Sequence, residues 1–361
     1  MRRARPYRRA ATCGACRCAI QAWTLSTTST SSAQPARRRT AMRREGSPWR
    51  GVTAVTLKEL ADHLSSARMR VLEWLVVLTA AAALYGALRD IRDTTATDPF
   101  VFLRLFTSTQ APLPSFASIL GFLIPLVAIG LGFDAVNGEY SRRTMSRILS
   151  QPIYRDALLL GKFIAGLATL GISLVCLWLL LVGAGLLLLG VPPSAEEVAR
   201  SIVFLIIALA YAGVWLAISM LFSTVFKSAA TSALVSLGLW LFLSLLWPML
   251  APALAQLIAP PDLLASITGQ LSIHTLHWQL ALERISPTEL FGEAVIAILS
   301  PTTRTLGPVF LSQLQGMVLG APLPLAASLS IVWAQIVGLI AGCILLFALT
   351  YVVFQRQEVR A

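Results

Sequence analysis

Residues 163–191 read FIAGLATLGISLVCLWLLLVGAGLLLLGV, a run without a single Asp, Glu, Lys, Arg or His. A helix rises 1.5 Å per residue, so about 20 apolar residues cross the roughly 30 Å of bilayer hydrocarbon. Inside lipid only helices and closed barrels satisfy every backbone polar group. An ionisable-free run of this length is foreign to soluble core helices and predicts a membrane span. The same criterion finds five more stretches, at 71–88, 115–133, 202–226, 229–258 and 326–354, and the last three again lack ionisable residues. The chain therefore reads as all-α and polytopic, with six transmembrane helices. Its composition, 56% apolar against 13% charged, agrees with that class.

The formal charge of +12 suggests a nucleic-acid binder until it is located. Residues 1–70 carry 15 basic side chains against Glu45, Glu59 and Asp62, whereas residues 71–361 carry 14 basic and 14 acidic ones. The excess thus belongs to the amino-terminal segment, and the apolar body is neutral, which argues for membrane lipid rather than nucleic acid as partner. Residues 1–50 read as a disordered basic tail: residues 1–44 hold 11 Arg, no acid and a Ser/Thr run, which cannot bury enough apolar surface to offset chain ordering. Met42 is a candidate true start, which would make the leader a start-site artefact; an organelle transit peptide is the alternative. Cys13, Cys16 and Cys18 lack a second Cys or His pair at zinc-site spacing, and His274 and His277 lack a third ligand, so no metal site is expected.

Basic residues in short loops mark the cytoplasmic side. Arg142, Arg143, Arg147, Arg155 and Lys162 lie between spans 2 and 3, Lys227 between spans 4 and 5, and Arg356 and Arg360 follow span 6. The opposite connections are balanced or acidic. Both termini are accordingly expected in the cytoplasm, as an even span count requires.

Two capping boxes predict helices outside the spans. Thr56-Leu57-Lys58-Glu59 opens an amphipathic helix with Leu57, Leu60, Ala61 and Leu64 on one face, suited to the inner membrane surface or to a cytoplasmic extension of span 1. Ser286-Pro287-Thr288-Glu289 opens a second helix through about Leu299, with Phe291, Val295, Ile296 and Leu299 forming its apolar face. It belongs to an outer helical module, residues 259–325, whose last part (305–325) is broken by Pro and Gly and reads as interfacial or re-entrant.

The loop after span 2 carries Asp134, Glu139, Arg143, Thr144, Leu149, Pro152, Arg155, Asp156, Gly161 and Lys162. Pro152 suits the first turn of a helix, on which Ile153, Ala157 and Leu160 would form an apolar strip beside Arg155 and Asp156, a shape that fits a groove on a soluble partner. The order Asp134, Glu139, Thr144, Leu149, Pro152, Arg155, Gly161 and Lys162, with Lys58-Glu59-Leu60 ahead of span 1 and the closing Phe354-Gln-Arg-Gln-Glu358-Val-Arg360, resembles the permease subunits of type-2 ATP-binding-cassette (ABC) transporters over residues 54–361. Many relatives have Gly directly before the Thr, where this chain has Arg143. The resemblance implies a coupling helix in the loop, steadied by Glu139 through hydrogen bonds or an ion pair. It also implies a separate ABC ATPase subunit that binds ATP and Mg, a second permease copy, and export across the cytoplasmic (inner) membrane. The chain itself is expected to be no enzyme and to bind no cofactor directly: Gly161-Lys162 lacks the upstream Gly of a phosphate-cradling loop.

Other functions compete. A non-transporting anchor, or a subunit doing mechanical work on an outer-face partner, would share these features. Gly171-Ile-Ser173 is similar to an intramembrane serine protease motif, but all three histidines lie outside the spans, where none can serve Ser173 as a base. Ion coupling needs ionisable groups in the membrane, and spans 3 to 6 supply none, Gln335 coming nearest.

Overall fold

The computed structural model describes residues 48–93, 100–108, 114–142, 155–190, 192–260, 273–304, 306 and 322–356. The basic tail with its three cysteines, Arg143, Thr144, Pro152, the 307–321 segment and the last five residues lie outside that set. Among the described residues the chain is helical and has no strand.

In order, the helices are α1 (Pro48–Ser65), α2 (Ala67–Asp93), α3 (Val101–Thr107), α4 (Phe116–Gly132), α5 (Asn137–Ser141), α6 (Arg155–Leu189), α7 (Ala195–Val225), α8 (Ala229–Leu241), α9 (Trp247–Ile258), α10 (Ile273–Glu283), α11 (Pro287–Leu299) and α12 (Leu325–Arg356). Six stretches are long and apolar enough to cross a membrane: Met69–Arg89, Phe116–Ser141, Arg155–Leu188, Ala195–Val225, Ala229–Ile258 and Leu325–Arg356. They coincide with the six expected spans, and the protein is a multi-pass membrane protein. A π turn, Phe242–Leu246, joins α8 to α9. Its cause lies just downstream, where Pro248 has no N–H to give the Ser244 carbonyl, so the ladder loosens before it.

The core forms around α7, which packs against α4, α11 and α12. Trp215, Tyr211 and Phe204 of α7 are fully buried with Phe106 of α3. Tyr211 stacks on Phe291 of α11 with ring centroids 4.5 Å apart. Gly132 lets α4 approach α7: a Cβ there would stand 2.9 Å from that of Ser219.

Several local expectations are corrected. Thr56 lies inside α1, well after its first turn, and its hydroxyl donates to the Gly161 carbonyl at 3.3 Å instead of capping. Glu59, expected as the capping partner of Thr56, is instead buried against α6 and bonded to Lys162. In α11 the start is as expected, with Ser286 at the N-cap and Pro287 next, but the capping box does not form. Ser286 Oγ instead donates to the Leu243 carbonyl in the π turn, at 3.0 Å. Phe291, Val295 and Leu299 are buried on the spans, whereas Ile296 is exposed.

A capping box absent from the expectations starts α7, where Ser194 and Glu197 satisfy each other's backbone amides. Glu197 Oε1 also accepts from Phe102 N at 2.9 Å, which satisfies the start of α3. Arg200, fully buried, is the tie of this end. Its guanidinium donates to the Ile298 carbonyl of α11 at 2.8 Å, to Ser328 Oγ of α12 at 3.2 Å, to Glu196 Oε1 and to the Leu323 carbonyl. A cation at the last carbonyls of α11 also opposes that helix's dipole.

Candidate coupling site at the loop end

At the opposite end, three segments distant in sequence meet at one ammonium. Lys162 sits in the first turns of α6, and its Nζ lies 3.0 Å from Glu59 Oε1 of α1 and 3.3 Å from Glu139 Oε1 of α5. Its side chain is 6% exposed, and those of Glu59 and Glu139 are 11% and 16%. Lys58 joins from the rim, 2.9 Å from Glu59 and 3.0 Å from Asp62. Burial works to raise the Glu59 carboxyl, but the Lys162 charge with hydrogen bonds from Lys58 and Lys162 outweighs it, so Glu59 titrates below the usual carboxylate range.

The backbone around the cluster is held on both sides. Ser223 Oγ of α7 accepts from Val136 N at 3.0 Å and Asn137 N at 3.3 Å, and the Asn137 amide donates to the Phe226 carbonyl. The chain leaving α4 is thereby fastened to the end of α7. On the other side, α1 lies directly on α6 at Gly161, where a Cβ would meet Val55 Cγ1 at 2.7 Å. Asp156 accepts a hydrogen bond from Gln355, joining α6 to the end of α12. A cavity of about 420 Å³ opens over the cluster, bounded by Asp62, His63, Asp134, Arg142 and Gly166 among others.

Of the residues singled out from sequence, Glu59, Glu139, Gly161 and Lys162 come together, with Lys58 and Asp134 at the margin. Arg155 and Asp156 stand at the start of α6, half-buried and exposed respectively. Leu57 and Leu64 point away from α6, 67% and 40% exposed, and Leu60 is partly covered. Arg143, Thr144 and Pro152 lie outside the described residues. Sequence reading did not pair Lys162 with Glu59; a lone Lys at the mouth of an apolar run was the available signal, since a cation there needs a buried counter-ion.

The protease alternative finds no geometry: the hydroxyl of Ser173 donates to Glu73 Oε1 at 3.4 Å, the neighbouring-helix contact expected of a span serine. Among the described residues no group of three His, Cys, Asp or Glu could hold a metal ion.

A helical bundle with six segments able to cross a membrane and a buried ion-pair cluster at one end defines a multi-pass membrane protein, and the sequence comparison gives its family. The model of the ABC-2 family transporter proteins matches residues 53–359, and the chain belongs to that family. It is similar to the probable ABC transporter permease protein NosY of Stutzerimonas stutzeri, 35% identical over 99 residues, which cover 27% of this chain and 34% of that protein. The protein of the same name from Pseudomonas aeruginosa is 32% identical over 152 residues, 42% of this chain and 49% of that one. The chain thus spans about a third to a half of the length of the curated relatives it matches.

Proposed function

We propose that this chain is the permease subunit of an ABC exporter in the cytoplasmic membrane, with both termini in the cytoplasm and the ATPase docking at the loop end. The observation that carries the reading is the Glu59–Lys162–Glu139 cluster. It ties the segment after span 2 to α1 and to the root of α6, so a push on the loop reaches two helices through one buried joint. ATP and Mg belong on the separate ATPase subunit, and a second permease copy completes the path.

The path in each copy is supported by a cavity of about 380 Å³ along α11, lined without charge by Ser115, Ser118, Trp240, Ser244, Thr288 and Ser300 among others. ATP binding and hydrolysis on the partner move the loop, and the bundles of two copies rock against each other. The deciding experiment reconstitutes the chain with the ABC ATPase that co-purifies with it. Glu139→Gln should lower transport per ATP hydrolysed without loss of membrane insertion, and unchanged coupling would count against the docking role.

A further inference from the structure

The ionisable groups that the spans lack are brought to mid-bundle by a hairpin between them. α10 runs back along α9, with Thr275 Oγ1 donating to the Ala259 carbonyl and Trp247 Nε1 donating to the Leu282 carbonyl, both at 2.8 Å. The chain then turns and climbs as α11 towards Arg200. The turn lies beside Ser244, Tyr211 and Gln335, through contacts of Thr288 with Ser244 (3.0 Å) and Tyr211 (3.2 Å) and of Glu293 with Gln335 (2.8 Å). Ser244 and Tyr211 stand near the centres of their long helices, and Gln335 is about 15 Å along α12 from its start at 1.5 Å per residue. Three spans therefore put the hairpin tip at about half the membrane's depth.

That tip holds Glu283, Arg284, Glu289 and Glu293. Arg284 grips Glu293 through Nε, 3.0 Å from Oε2, and through Nη2, 3.2 Å from Oε1. Gln279 donates to Glu283. Glu289 has no hydrogen-bond or ion-pair partner among the described residues, and the charges acting on it are two more carboxylates, Glu283 and Glu293. The packed faces of α4, α7, α12 and the π turn bring no charge there, Tyr211 being their one titratable group at this level. A carboxylate so placed is costly unless a positive charge joins it.

A second observation shows room for one. Gln335 is 3% exposed, its Nε2 is taken by Glu293, and its carbonyl Oε1 has no donor although buried at the cluster. Buried amide oxygens are rarely left so.

We infer that the hairpin tip is a cation site within the membrane, in which Glu289, with the Gln335 carbonyl beside Glu293, takes up one positive charge as a proton or a monovalent cation. Glu293 already has Arg284, so the one carboxylate of the tip left without a partner among the described residues, Glu289, sets the class at a single positive charge. The site goes beyond the transport reading and does not depend on it. The dipole at the amino end of α11 favours the Glu289 anion, but too weakly to replace a counter-ion at this depth.

Dicyclohexylcarbodiimide, which partitions into lipid and reacts with the protonated carboxyl, tests the site in the full chain in vesicles, with labelled peptides located by mass. Glu289 should react ahead of the surface carboxylate Asp62, and Glu289→Gln should remove that label. In the proton case its rate falls about tenfold per pH unit once the site ionises and is indifferent to sodium or potassium at fixed pH. In the monovalent-cation case, sodium or potassium at fixed pH protects it. Gln335→Leu should shift the pH midpoint or the protecting concentration several-fold. Reaction of Glu289 no faster than that of Asp62, or a rate unmoved by both pH and cation, overturns the site; an unshifted midpoint in folded Gln335→Leu overturns the part given to Gln335. Neither substrate nor ATPase enters the measurement, so this inference and the transport reading fail separately.

Discussion

Lys162 and Glu59 stand 103 positions apart in the chain and 3.0 Å apart in space. Their side chains are nearly free of water, and Glu139 is the second carboxylate on the same ammonium. Glu59 is balanced by that buried cation and by the Lys58 rim charge, which makes the joint sensitive to single changes.

Replacing Lys162 by Met removes the cation and leaves both carboxylates buried. Loss of one partner of such a pair costs about 3–5 kcal/mol. Thermal unfolding of the detergent-solubilised protein should show a clear drop, and adding Glu59→Gln to Lys162→Met should recover part of it. Equal stability of Lys162→Met and the parent would contradict the pairing.

Acid should loosen the same joint. The folded Glu59 carboxyl lies below its ordinary value of 4.5, so the stabilisation is complete above that pH and is lost as pH falls through the folded value. The advantage of the parent over Glu59→Gln in unfolding temperature should be flat from pH 7 to about 5 and shrink only below. An advantage that fades already between pH 7 and 6 would point to another group.

Gly161 is a packing constraint between α1 and α6. Gly161→Ala places a methyl 2.7 Å from Val55 Cγ1, so α1 must lift, at about 1–3 kcal/mol for overpacking. Protease cleavage within residues 48–65 should rise in Gly161→Ala and return towards the parental rate when Val55→Ala is added. A cleavage rate unchanged by Gly161→Ala would show that α1 does not depend on this contact.

The six spans were legible because lipid imposes a length and a composition on any helix that crosses it. The loop cluster was half legible: Glu139, Gly161 and Lys162 stood out in one loop, yet their partner Glu59 looked like a capping residue, since a Thr-x-x-Glu spacing carries no record of helix phase. The hairpin was missed in its depth. Glu283, Arg284, Glu289 and Glu293 fall in the expected outer module, and hydropathy, which averages along the chain, carries no signal of their depth, because their partial burial comes from helices elsewhere in sequence. Arg200 gives no local signal of its role for the same reason, its acceptors being carbonyls of Ile298 and Leu323.

Arg200→Met should test that tie. It strands the Ile298 and Leu323 carbonyls and the Ser328 hydroxyl, each unsatisfied buried group costing about 1–3 kcal/mol. Hydrogen exchange at the carboxyl end of α11 should accelerate while that of α1 stays unchanged, and uniform acceleration would mean that Arg200 serves the whole bundle.

The guanidinium of Arg200 also has a mechanical meaning. By riveting the roof of α11 to α7 and α12, it fixes three helices to one another at this end. Strain entering at the Lys162 end would then arrive at the far face as tilt of a stiff block, with the hairpin carried along like a bolt in its housing.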